Sequence, residues 1–307
     1  MSAQQKSSAQ PTTKRDFLTL LDCSHEELKA ITRRGTELRE LAEQPQTLKG
    51  KSAVMMFQLN STRTRVAFEA GLKELGGHAV ILSPADSQFG RGEPVEDMAR
   101  VLSEMVDAVI IRTSSQALLE EFAAAASIPV INAMSERYHP CQLLADVQTF
   151  EELRGPIEGR TVSFVGDGYN MCNSYINAAR QWGFHLKIAS PEGYRPDPEL
   201  LKTTNNAELV ETAEEAVAGA DLVVTDVWSS MGHEGEEASR IAAFEPFRVD
   251  EALLDQASSE VLFMHCLPAH RGEEISETLI DDPRSCVFRE AGNRLHSQKA
   301  LLEFLLT

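Results

Sequence analysis

Ser61-Thr62-Arg63-Thr64-Arg65 sets hydroxyl and guanidinium groups in one unbroken run, directly after the apolar stretch AVMMFQL (53–59). Behind the run, Phe68, Leu72 and Leu75 recur at i, i+4 and i+7, the spacing of a helix held in a core. A strand ending near Leu59 and a helix beginning near Thr62 place these side chains at the carboxyl edge of a parallel sheet, where such folds bind ligands. The start of a helix offers unpaired N–H donors and the positive end of a dipole. Hydroxyls and planar arginine forks complete a nest for a phosphate-like anion. The competing reading is a serine N-cap with solvated arginines. Two arginines in a first turn oppose the dipole, however, unless an anion neutralises them.

Other stretches fall at equivalent edges. In His139-Pro140-Cys141-Gln142, the proline suits the first position of a helix, so His139 and Gln142 sit at a strand-to-helix mouth. His139 and Cys141 do not form a thiol–imidazole pair, because neighbouring positions on a first turn point apart. Arg112 closes the apolar strand AVIIR, as a snorkelling cap or as a ligand. FVGDGYNMCN (164–173) approaches a glycine-rich dinucleotide loop but has Met171 where the third glycine belongs, and the next strand ends in IAS without a ribose-binding acid. A nicotinamide cofactor is therefore not expected, while Asn170 stays available for a polar ligand. Asp226 ends a strand, as a ligand or as a helix cap, and is followed by Ser229, Ser230, Met231 and Gly232 in a loop. His265 and Cys266 end another strand, and with His270 they lack the paired spacing of a zinc site.

These residues need a scaffold, and the chain supplies one twice. Short β-rich runs at 53–59, 78–82, 107–113 and 128–134 alternate with helical stretches at 64–75, 95–106, 116–126 and 140–153. The rhythm resumes with strands at 161–166, 185–190, 221–226 and 260–265. Near-continuous apolar strands alternating with helices predict α/β architecture: two doubly wound parallel-sheet domains with an inter-domain cleft. RGPIEG (154–159) marks the division. We expect a disordered lead-in over 1–15, a first domain over 16–153 and a second over 154–290. A C-terminal helix over 291–307, with Leu295, Leu301, Leu302 and Leu305 at helical spacing, is expected to pack back on the first domain.

Composition bounds the partners. The 307 residues carry a net charge of −18, which disfavours nucleic acid and anionic membrane and requires a local cationic nest for any anionic substrate. No apolar run reaches the ~18–20 residues of a membrane span. The polar N-terminus lacks the apolar core of a secretory signal. Cys23, Cys141, Cys172, Cys266 and Cys286 are odd in number and widely spaced, which fits free thiols in a reducing cytoplasm.

Taken together, S-T-R-T-R (61–65), H-P-C-Q (139–142), D-V-W-S-S-M-G (226–232), H-C-L-P (265–268) and A-G-N-R (291–294) resemble the transcarbamoylase family, in its ornithine-using branch. The motifs occur in family order and span nearly the whole chain after residue 15. The resemblance implies carbamoyl transfer from carbamoyl phosphate to the δ-amine of L-ornithine, without metal or organic cofactor. It implies a homotrimer or a multiple of trimers, with sites at subunit boundaries. Ser61, Thr62, Arg63 and Thr64 would hold the phosphate. Arg112, His139 and Thr64 would polarise the carbonyl. Gln142 and the backbone around Cys266 and Leu267 would hold the amide nitrogen, and Arg294 would contact carbamoyl phosphate. Pro140 and Cys141 complete that carbamoyl phosphate set, and Gln88, from the loop DSQFGRGEP, would reach a neighbour's site. Asn170, Asp226, Ser230 and Met231 would hold the amino-acid end of ornithine, with Cys266 beside the attacking amine. The chain departs from the family at Tyr169-Asn170, where two asparagines often stand, and at Arg91, where the family loop often bears a lysine. Two other classes are weighed against this reading. One is a binding protein without turnover, against which the intact Arg63, Arg112, His139 and Cys266 count. The other is an α/β dehydrogenase, against which the failed glycine pattern counts. Within the family the rival acceptors are aspartate, putrescine and acylated ornithine.

Overall fold

The computed structural model describes residues 14–59, 61–82, 92–229 and 237–307. Helix α1 (His25–Glu40) precedes a first series of β1 (Ser52–Phe57), α2 (Thr62–Glu74), β2 (His78–Leu82), α3 (Val95–Ser103), β3 (Ala108–Arg112), α4 (Gln116–Ala125) and β4 (Val130–Met134). Helix α5 (Pro140–Arg154) leads to β5 (Thr161–Val165), α6 (Asn170–Trp182), β6 (His185–Ala189), α7 (Pro198–Leu201), β7 (Ala207–Val210) and α8 (Ala213–Val217). Then come β8 (Leu222–Thr225), α9 (Glu237–Phe244), α10 (Glu251–Leu254), β9 (Leu262–His265) and α11 (Val287–Leu306).

The first sheet runs β2-β1-β3-β4 and the second β7-β6-β5-β8-β9, with every ladder parallel. The central strands are buried on both faces, as near-continuous apolar sequence requires: all five residues of β3 are buried, Arg112 included. Strand order reverses between β1 and β3 in one sheet and between β5 and β8 in the other. Such switch points open a crevice at the carboxyl ends of the strands. Residues 61–65 and Arg112 belong to the first crevice, and Asn170 and Asp226 to the second.

Strand β7 and helix α1 are among the elements that escape the sequence pattern. Strand β7 is an edge strand of only four residues, interrupted by Glu208, so it lacks the apolar run that marks its neighbours. Helix α1 is announced by a capping box instead, with Ser24 and Glu27 each bonding the other's backbone N–H. At the N-terminus, Lys14 donates to the carbonyls of Ala123 and Ala126, and Arg15 pairs with Glu27, so these two residues are held in place against the expected lead-in. The rest of that segment lies outside the described residues.

Helix α11 begins at Val287 and ties the halves together. Val287 packs in the core of the second domain, while Leu301 and Leu302 are fully buried against the first. Its flank against α1 and α2 is polar as well: Arg34 and Thr47 donate to Glu303, and Lys299 pairs with Glu74 at 2.7 Å.

Candidate active site

A cleft of ≈ 340 Å³ lies where the two switch points face each other. Ser61, Thr62, Arg63, Thr64, Arg112, His139, Asn170, Asp226, Cys266, Leu267 and Arg294 all line it. These residues come from both domains and from α11, so the fold gathers what the sequence scatters over more than 230 positions. Gln88, Arg91, Ser230 and Met231 lie outside the described residues.

One wall is cationic. Ser61 is the N-cap of α2 but makes no side-chain cap bond, and no acidic residue occupies the first turn. Arg63 extends across the cleft, its Nη2 donating to the carbonyl of Leu267 at 2.6 Å. Arg65 turns away instead and pairs with Glu69 at 3.7 Å on the exposed face of the helix, so only one arginine of the run enters the site. Buried Thr64 accepts from Arg294 Nη2 at 2.9 Å. Arg112 stands at the end of β3, its Nε buried with no partner among the described residues. Burial, with Arg294 and Arg63 nearby, lowers the Arg112 guanidinium to about 10. Such crowding of guanidinium groups calls for an anion between them.

His139 is the N-cap of α5, and its backbone N–H donates to Ser174 Oγ at 2.7 Å. Its Nδ1 is buried without a partner among the described residues. Burial and then the charges of Arg294 and Arg112 hold the imidazole well below its ordinary range, so it is neutral at physiological pH. Gln142 sits behind Arg294 rather than on the cleft surface. Its Oε1 accepts from Arg294 Nη1, and its Nε2 donates to Asp146 Oδ1 and Glu290 Oε1, both at 2.9 Å. Pro140 and Cys141 do not line the cleft. Both are buried in the first turn of α5, with Cys141 Sγ donating to the carbonyl of Asn132 at 3.3 Å. Burial pushes the Cys141 thiol up to about 12, which rules out a thiolate there.

The opposite wall carries the acid. Asp226 Oδ1 accepts from the Val227 N–H at 2.8 Å and from Cys266 Sγ at 3.1 Å. Burial and the adjacent carboxylate push the Cys266 thiol well above its ordinary range, so it acts as a weak donor and not as a nucleophile. Asn170 Nδ2 donates to the carbonyl of Ser135 at 2.8 Å, and Tyr169 lines the cleft beside it. Leu267 adopts a φ of 56°, the left-handed region that non-glycine residues rarely occupy. Its N–H donates to His265 Nδ1 at 2.9 Å, and its carbonyl takes the Arg63 guanidinium. His265 Nε2 in turn meets Glu274 Oε1 at 3.1 Å, so both ring nitrogens are engaged. This buried relay turns a backbone carbonyl into the site.

Sequence reasoning missed Asp146 and Glu290, which hold Gln142. Each stands four residues from a recognised site residue, Asp146 after Gln142 and Glu290 before Arg294, on the same helical face. It also missed Glu136, which lines the cleft while capping α4 through the Gln116 N–H.

Comparison with known proteins agrees with this geometry. Residues 15–152 match the family model described as "Aspartate/ornithine carbamoyltransferase, carbamoyl-P binding domain", and residues 158–305 match "Aspartate/ornithine carbamoyltransferase, Asp/Orn binding domain". The chain is 56% identical over 296 residues to the anabolic ornithine carbamoyltransferase of Pseudomonas aeruginosa, covering 95% of this chain and 97% of the relative. It is 55% identical to the ornithine carbamoyltransferase of Chromohalobacter salexigens, over 95% and 97% of the two chains. Among solved structures, the ornithine carbamoyltransferase from Pyrococcus furiosus superposes with a TM-score of 0.92 at 42% identity, over 96% of this chain and 97% of that one. The anabolic enzyme from Campylobacter jejuni gives 0.90 at 42%, over 95% and 98%.

Proposed function

The chain belongs to the aspartate/ornithine carbamoyltransferase family, and from that premise we propose that it transfers the carbamoyl group of carbamoyl phosphate to the δ-amine of L-ornithine, giving L-citrulline and phosphate. The observation that carries the residue roles is the polarity of the cleft. Arginines and a neutral imidazole crowd one wall, and a carboxylate with a thiol stands on the other. A dianionic acyl phosphate suits the first and an α-ammonium group the second.

Residues 16–153 bind carbamoyl phosphate, residues 154–290 bind ornithine, and the helix over 291–307 returns Arg294 to the first site. Ser61, Thr62, Arg63 and Thr64 take the phosphate. Arg112 and His139 donate to the carbonyl oxygen, and Gln142 and the Leu267 carbonyl accept from the amide nitrogen. Asn170 and Asp226, with Ser230 and Met231, hold the amino-acid end of ornithine. The neutral δ-amine attacks the carbonyl carbon, charge develops on the oxygen, and the C–O bond to phosphate breaks as the nitrogen gives up a proton to the departing phosphate. Donors already in place for that oxygen are worth about 2.7–4 kcal/mol each in comparable sites. Phosphate leaves with its charge held by Arg63 and the start of α2. The names of the anabolic relatives support the biosynthetic direction, toward arginine. No metal or organic cofactor enters the scheme.

Five unpaired cysteines support a reducing cytoplasm. Among the described residues no helix is long and apolar enough to cross a membrane. Val66 on α2, Val101 on α3 and Met105 just beyond α3 are exposed and support a subunit contact on the first domain, and we assign a homotrimer or a multiple of it. In that assembly Gln88 and Arg91 serve a neighbour's site. Mixing an Arg63→Ala chain with a Gln88→Ala/Arg91→Ala chain then restores activity in hybrid sites, and a strictly monomeric mass in solution rejects the arrangement.

The function is tested by citrulline formation from carbamoyl phosphate with a panel of acceptors. Asp226 favours a free α-ammonium group, so ornithine gives the highest kcat/KM. Putrescine lacks the carboxylate, and acetylornithine lacks the charged α-nitrogen. A higher kcat/KM with either would refute the acceptor assignment.

A further inference from the structure

Gln142 stands behind Arg294 with its amide between two unlike sets of partners. Its Nε2 lies 2.9 Å from Asp146 Oδ1 and 2.9 Å from Glu290 Oε1, while its Oε1 meets Arg294 Nη1. Both carboxyl groups are almost wholly buried, at 1% exposure each. Each has its second oxygen engaged by a donor: Asp146 Oδ2 by the Tyr175 hydroxyl at 2.8 Å, Glu290 Oε2 by the His265 N–H at 2.9 Å. Burial raises both carboxyls above their ordinary range. A turned amide would set its oxygen against this acidic pair and its NH₂ against a guanidinium. The arrangement therefore admits one orientation.

We infer that Asp146 and Glu290 are positioning residues that lock the Gln142 carbonyl on the Arg294 side of the site, and so make the enzyme select a carbamoyl group over an acyl group of the same shape. The inference rests on the reading that Gln142 faces the carbamoyl nitrogen. Acetyl phosphate carries the same phosphate and carbonyl but has a methyl group where carbamoyl phosphate has an NH₂. A locked acceptor has a second lone pair to reward the NH₂ and gains no hydrogen bond from the methyl. A free amide would turn and accept either.

The two carboxyls differ in how they can be replaced. In Glu290→Gln, the fixed His265 N–H claims the new carbonyl oxygen, so the new NH₂ faces Gln142 and forces its amide to turn. In Asp146→Asn, the carbonyl oxygen can stay on Gln142, because the Tyr175 hydroxyl rotates to accept from the new NH₂. The experiment measures kcat/KM for carbamoyl phosphate at saturating ornithine, and inhibition constants for acetyl phosphate and inorganic phosphate, in each variant. With one hydrogen bond at stake, Glu290→Gln lowers kcat/KM for carbamoyl phosphate about tenfold while both inhibition constants stay within about twofold. Asp146→Asn keeps the wild-type ratio. Equal losses for carbamoyl and acetyl phosphate in Glu290→Gln, or no change in either, overturn the inference. If Glu290→Gln does not fold, Gln142→Met removes the acceptor and leaves the acidic pair intact. It must lose the same preference, and an unchanged preference overturns the inference. Absence of citrulline from the wild-type enzyme overturns the functional reading, and this inference with it.

Discussion

Arg63 has two tasks that compete. It belongs to the nest at the start of α2, yet its Nη2 is bonded to the Leu267 carbonyl on the far side of the cleft. A phosphate on α2 therefore has to share that guanidinium with the second domain. Anion binding at α2 is thus expected to act on the loop that bears Cys266 and Leu267. Arg63→Ala removes charge-assisted hydrogen bonds, for which about 1.5–3 kcal/mol is usual. Calorimetry is expected to show carbamoyl phosphate binding weakened by that amount. Unchanged affinity would dissociate this stretch from the phosphate. Asp226→Asn is expected to raise KM for ornithine sharply and leave carbamoyl phosphate binding nearly intact, because its contacts are all on the opposite wall. At this scale much of the site was legible from sequence, since arginines, a histidine and a proline at strand ends declare themselves by type. The fate of Arg65 was not legible. Residues 63 and 65 of one helix turn face different ways, and only the packed helix shows which one meets the cleft.

At the scale of elements, the strands that bear the site were readable because burial on both faces writes a continuous apolar run. Strand β7 was not, because it is only four residues long and Glu208 interrupts its apolar run. The partnership of α5 with α11 was equally hidden: Gln142 and Arg294 are 152 positions apart, and no local pattern predicts that they meet. Helix α9 is tied down by a side chain that sequence reading passed over. Arg240 donates to Asp167 in a buried pair and to the Trp228 carbonyl at 2.5 Å. Its guanidinium also lies over Tyr194 at 4.6 Å and Phe244 at 5.4 Å. This cluster anchors the chain two residues beyond Asp226. Arg240→Met leaves Asp167 buried without its guanidinium, for which a loss of about 3–5 kcal/mol in stability is expected. KM for ornithine is expected to rise while carbamoyl phosphate affinity stays close to wild type. Urea denaturation and calorimetry read the two effects separately, and an equal loss for both substrates would reject the anchor.

The whole molecule is acidic, at a net charge of −18, but burial and neighbouring cations keep two of its histidines neutral. His139 is held well below its ordinary range by burial, then by Arg294 and Arg112. His296, half-buried on α11, is lowered to about 4 by burial, then by Lys299 and Arg39. In both cases the unfolded chain takes up a proton before the folded one does. The unfolded state therefore gains as pH falls below the ordinary histidine value of about 6.5, and folding stability is lost from there down toward pH about 4. The acidic pair has the opposite sign. Burial raises Asp146 and Glu290, so what they contribute is fully present at low pH and is lost only as pH rises through their folded values. They cannot account for weakening on acidification. The histidines therefore contribute a descent of the urea midpoint between pH 6.5 and 4, which the acidic pair partly offsets. His296→Gln is the discriminating variant, because it leaves the cleft untouched. It is expected to flatten the descent partially, since part of the His296 ring faces solvent and its penalty is screened, and His139 still contributes. A descent of the same slope in wild type and His296→Gln would place the acid sensitivity elsewhere. Inorganic phosphate adds a second handle at this scale. An anion lodged among Arg63, Arg112 and Arg294 offsets the field that depresses His139, so saturating phosphate is expected to raise the midpoint at pH 5.5 in both chains, by the ordinary linkage of binding to folding.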